Sequence, residues 1–104
     1  MASSRRLSLD AELRTLLGTT NVYFQPPKSI SLRYPCIIYS RQRIISRHAD
    51  NKIYLAEDQY TVTYISKNPD DPMVEKILHH FPGISMDRVF AQDNLYHNNY
   101  SLHY

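Results

Sequence analysis

The chain has 104 residues, 12 basic against 10 acidic side chains, nine tyrosines, no tryptophan and one cysteine. That length holds one domain, and a net charge of +2 is not the balance of a polyanion binder. The lone Cys36 excludes an internal disulfide framework and fits a reducing compartment, and with only Gly18 and Gly83 a glycine-rich phosphate loop is excluded.

Taken in order, residues 1–7 read as a loose or docked leader to a single domain spanning 1–104. Ser8 is placed to cap a first helix, with Leu9, Leu13, Leu16 and Leu17 as its apolar stripe and Gly18 as its stop. Asn21–Phe24 predicts a short strand, broken by Pro26 and Pro27. Residues 28–33 are an extended connector, and Pro35 opens a strand from Cys36 to Ser40. Arg43–Ile45 can continue it. Lys52–Leu55 reads as a separate strand, with Ala49-Asp50-Asn51 as the turn.

Gln59–Phe81 carries the strongest local signals. Tyr60–Ile65 is wholly β-branched or aromatic and does not alternate cleanly, which predicts a central strand with neighbours on both edges. Asp70 or Asp71 then caps a helix with Pro72 in its first turn. Val74, Ile77, Leu78 and Phe81 share one face of that helix, and Pro82-Gly83 ends it. Ser85–Gln92 is a further strand and Asp93-Asn94 a turn. In the last strand, Leu95–Tyr104, the residues Tyr96, Asn98, Tyr100, Leu102 and Tyr104 fall on one face. Ending at the chain terminus, it reads as an edge in need of cover. The fold class expected is α+β: a small, mostly antiparallel sheet with two helices packed on one face.

The chemistry-bearing residues do not assemble into a motif. His97 and His103 lie about 20 Å apart along one strand, and His79 and His80 diverge on a helix, so neither pair has metal-ligand spacing. Cys36 sits in an apolar strand, where an inert buried thiol is the default. Asp70 and Asp71 are explained by capping. No catalytic residue, cofactor or metal is therefore expected. Arg33, Arg41, Arg43, Arg47 and Lys52 with the tyrosines leave a small RNA-binding protein or ribonuclease as an alternative of a different class. The favoured reading is a self-associating interaction module with no membrane span and no secretion signal. Its candidate interface has two parts: a projecting hairpin with Arg41, Arg43 and Arg47, and the final-strand face with Tyr96, Tyr100, Leu102 and Tyr104. If extended, Arg41 and Arg43 point the same way.

The succession NVYFQPP, YPCIIY, ADNKIY, YTVTYISKNPDDP and DNLYHNNYSLHY resembles the tail-terminator, or tail-completion, proteins of long-tailed bacteriophages. The likeness runs from about Leu13 to Tyr104. It implies a homo-hexameric ring that docks on the last ring of the major tail tube protein, halts its polymerisation and meets the head-completion or stopper protein of the neck. DNA passes through such a ring without being read, no cofactor is used, and the protein ends in the virion after assembly in the bacterial cytoplasm. Head-completion and stopper proteins of the neck are similarly small and stand as the alternative within the same structural class.

Overall fold

The computed structural model describes residues 2–27, 29–49 and 52–104, and for residues 2–5, 43–49 and 52–58 the backbone alone. It is an α+β fold in which helix α1 (Ala2–Leu17) and helix α2 (Met73–His80) accompany a five-stranded sheet. The strands are β1 (Val22–Phe24), β2 (Cys36–Ala49), β3 (Lys52–Ser66), β4 (Ser85–Gln92) and β5 (Leu95–His103). Their order is β1-β2-β3-β5-β4, with β1 parallel to β2 and every other pair antiparallel.

Strand β3 is central, between β2 and β5, as its unbroken run of strand-forming residues predicts. Three expectations are corrected. Lys52–Leu55 is not a separate strand: β3 runs unbroken for 15 residues. β5 is not an edge, because the β4–β5 hairpin folds back so that β5 pairs on both sides and β4 lies outermost. Ser8 does not cap α1, which begins at Ala2, and Asp50 and Asn51 of the expected turn lie outside the described residues.

The core lies on one face of the sheet. The register sets Ile37 against Tyr64, Tyr39 against Val62, Val62 against Tyr100 and Tyr60 against Leu102, so these side chains share a face by the two-residue period of strands. All are buried, and they form one cluster with Leu9, Leu13 and Leu17 of α1 and with Ile77 and Phe81 of the α2 segment. Burial of each such side chain stabilises the fold by about 1.5–3 kcal/mol. Gly18, at φ +81°, ends α1 and donates its N–H to Arg14 O at 2.9 Å. Asp93 and Asn94, at φ +55° and +62°, make the two-residue turn that fixes the β4–β5 register.

Candidate protein interface

Two of the four final-strand residues expected at an interface are occupied inside the subunit. Tyr100 and Leu102 are fully buried on the core face, between β3 and β4, and no partner can reach them in the folded chain. Tyr96 is half-buried opposite Ser66 and Ala91. Tyr104 is half-buried, its ring edge-on to Phe81 at 6.3 Å and its hydroxyl bonded to Glu12 and, at 2.9 Å, to Ser8. It ties the last residue to α1.

The tyrosines follow a common plan. Tyr39 donates its hydroxyl to Asp10 at 2.5 Å, Tyr64 to Asp71 at 2.6 Å and Tyr100 to Val74 O at 2.9 Å. Each ring fills the core while the hydroxyl reaches a polar group on or beside a helix, which offsets the cost of burying it. Burial first, and then the adjoining Asp10 or Asp71 carboxylate, raise the pKa of Tyr39 and Tyr64; burial followed by the charge of Asp71 does the same for Tyr100. These contacts span 29, 7 and 26 residues of sequence, so strand periodicity could not have named the partners.

Asp71 has a second role. Its Oδ1 accepts the Met73 N–H at 2.9 Å at the start of α2, while Pro72 occupies the capping position without a side-chain bond. The expected cap is therefore met by Asp71, one residue before that position.

The opposite face of the sheet is more polar. Thr63 donates to Asn99 Oδ1 at 2.9 Å, Ser101 donates to Asp87, and His97 stacks on Phe90 at 4.7 Å beneath the Arg88 guanidinium. Cys36 and Ile65 are its buried members, and burial pushes the Cys36 thiol up to about 11, away from nucleophilic use. Beside Ile38 a groove of about 630 Å³ is lined by Gln25, Pro26, Pro27, Ile30 and Leu32. Among the described residues no three His, Cys, Asp or Glu side chains gather to hold a metal, and no helix is long and apolar enough to cross a membrane.

The arginine hairpin has a definite backbone form. β1 covers β2 at residues 37–39, and Gln25 extends that cover by donating its N–H to Tyr39 O at 2.9 Å and accepting the Arg41 N–H on Oε1 at 3.2 Å. On the other side β5 covers β3 from Gln59 to Ser66. Beyond those limits, residues 44–49 and 52–58 pair with each other and, among the described residues, with no other strand. The result is a two-stranded ribbon roughly 25 Å long, by the rise of extended chain. It gives the molecule a long dimension of 52 Å against 26 and 23 Å.

Arg41 stands at the ribbon's base, half-buried, its guanidinium 5.8 Å from the Tyr60 ring centroid. A register shift separates it from Arg43, so the backbone between them is not the regular extended chain on which the two-residue spacing rests. Arg43 pairs in register with Gln59 and Arg47 with Leu55; their side chains are outside the described atoms. The signal that marks the bulge in sequence is weak: Gln42 is one polar residue in a polar run.

No family model matches the chain, and no curated protein matches it.

Proposed function

We propose that this chain is a structural protein of the phage virion, a ring-forming tail terminator that stops tube growth at the head-proximal end and joins the tail to the neck. The observation that supports this reading is the β2–β3 ribbon, which leaves the five-stranded body and offers unpaired strand edges to a partner. A ring needs two different, complementary surfaces on each subunit, and the ribbon provides one of them. Its partners are further copies of the chain, the tube protein and the neck stopper. The resemblance of the sequence phrases to terminators supplies the identity of those partners.

The test is complementation of a phage lacking this gene, with tail lengths and head–tail joining scored by electron microscopy. The natural chain restores joined particles with tails of uniform length. Deleting residues 43–58 with a short Gly-Ser link leaves tails overlong and heads unjoined. Normal-length tails that merely fail to join would favour the head-completion role. Full rescue by the deletion variant would refute the ribbon as the working element.

A further inference from the structure

We infer that neighbouring copies join by adding strand to strand: the outer edge of β4 in one copy pairs with the outer edge of the β2 ribbon in the next. The inference rests on the ring reading above for its occupant, a second copy, and on backbone geometry for the contact.

Among the described residues three long edges of the sheet are uncovered. The β3 side of the ribbon, residues 52–58, lies on the same side of the sheet as β4; the two on opposite sides are the ones that copies set side by side bring together. One is β4, outermost in the order, eight residues long and mostly exposed. The other is β2 beyond Gln25, residues 43–49, whose outward N–H and C=O groups have no strand partner among the described residues. Edges of this kind are usually blunted by proline, charge or bulges, or kept short. Neither stretch contains proline; each carries charged residues and has a bulge at or near its start, and the even run beyond the bulge is what is left to pair.

The two edges are compatible in regular length. In β2 the extra residue is Gln42, leaving 43–49 as an even run, since the second shift passes over Tyr54 of β3. In β4 the extra residue is Asp87, leaving 88–92. The shorter run fits within the longer.

They also match in direction. β2 is antiparallel to β3, β3 to β5 and β5 to β4, so β4 runs opposite to β2. A second copy set beside the first in the same orientation brings β4 antiparallel to β2, the more favourable pairing. β1 occupies the lower part of that edge, so the neighbour's β4 must sit displaced towards the ribbon tip. Because the two edges differ, the contact is head-to-tail and can repeat around a ring. It also gives the ribbon a third strand. A two-stranded hairpin alone is marginal in water, and a third strand is what such ribbons need.

The test uses the purified full chain with single cysteines placed in the two even runs: Ser46→Cys or Arg43→Cys in one preparation, Val89→Cys or Ala91→Cys in the other. Buried Cys36 stays in place as a silent thiol. Disulfides form only where Cα atoms approach within about 7 Å. After mild oxidation, at least one of the four mixtures should give a disulfide-linked dimer at about tenfold the yield of either preparation alone, since the paired strands lie within that limit. Dimers formed by a ribbon cysteine alone would mean ribbon-to-ribbon pairing and overturn the inference. So would the absence of any cross-link, whether light scattering finds oligomers or monomers. Complementation of the phage is scored separately, so a failed edge contact with rescued tails overturns this contact and leaves the ring reading standing.

Discussion

Asp71 joins two parts of the fold, and removing it should cost more than either contact alone. In the native chain its two oxygens accept the Met73 N–H at 2.9 Å and the Tyr64 hydroxyl at 2.6 Å. Asp71→Ala deletes a helix cap, worth about 1 kcal/mol. It also leaves the hydroxyl of a fully buried tyrosine without its acceptor, at about 1–3 kcal/mol. The sum, about 2–4 kcal/mol, corresponds to a fall in Tm of roughly 10–25 °C for a domain of this size. Tyr64→Phe keeps the cap and should cost less, about 1–2 kcal/mol, because the ring stays in place and only the hydrogen bond is lost. In the double variant no hydroxyl is stranded, so the two effects should fall short of adding, with a coupling of about 1–2 kcal/mol. Urea unfolding followed by far-ultraviolet circular dichroism measures all four corners of the cycle. Additivity within about 0.3 kcal/mol would show that Tyr64 and Asp71 do not support each other and would refute the reasoning.

Alkaline unfolding tests the buried tyrosines together. Tyr39, Tyr64 and Tyr100 have folded-state pKa values raised above the ordinary 10.0, so their contribution is fully present below about pH 10 and is lost as pH rises towards the folded values. Once the unfolded chain has released those three protons, stability should fall by about 4 kcal/mol per pH unit; tyrosinate absorbance that completes its rise before the dichroism changes would contradict this. Leu102→Ala, at a site with no solvent exposure, should cost about 2–5 kcal/mol in urea unfolding, and a loss under about 1 kcal/mol would place Leu102 outside the core. Arg43→Ser with Arg47→Ser should leave Tm within about 2 °C if these charges are solvated, since solvated charges contribute little; on the proposed reading the double variant reduces the yield of joined particles in complementation, and unchanged yields would remove these arginines from the contact.

Sequence pattern located the central strand, the second helix and the face of the last strand because each is a local property: β-branched runs, apolar residues at helical spacing, and alternation. The grouping of Tyr96, Asn98, Tyr100, Leu102 and Tyr104 on one face agrees with the burial of Asn98, Tyr100 and Leu102. What alternation cannot carry is strand order. The sequence shows that β5 has one apolar face, but whether one or two neighbours flank it depends on how the β4–β5 hairpin docks on β3. The same limit explains the first helix. Ser3, Ser4, Arg5 and Arg6 bear no apolar stripe in the sequence, and the described contacts next to them are tertiary: Arg6 lies 4.5 Å over the Phe24 ring, and, further along the helix, Ser8 bonds Tyr104. Such contacts are set by the fold and leave no periodic trace. The interface reading of Tyr100 and Leu102 failed for a related reason. A tyrosine with a core-facing ring and a helix-bound hydroxyl has the same local signature as one awaiting a partner.

The saturation of the core face constrains where association can occur. Tyr39, Tyr64, Tyr100 and Tyr104 direct their hydroxyls to Asp10, Asp71, Val74 O and Glu12, and each of these belongs to a helix or to the turn leading into one. A partner reaching that face would have to displace α1 or α2 and break these bonds, leaving polar groups buried without compensation. The strand edges present the reverse situation. Unpaired N–H and C=O groups on the ribbon and on β4 are hydrated in a free subunit, and pairing them with another strand exchanges water for protein partners at little cost. Side chains standing above and below the new ladder then become available for burial. On the proposed reading, the ribbon is the element that gains a further strand on assembly, while the helix-covered body keeps its structure throughout. Association through edges also preserves the tyrosine contacts, so a subunit can associate in this way without remodelling its core.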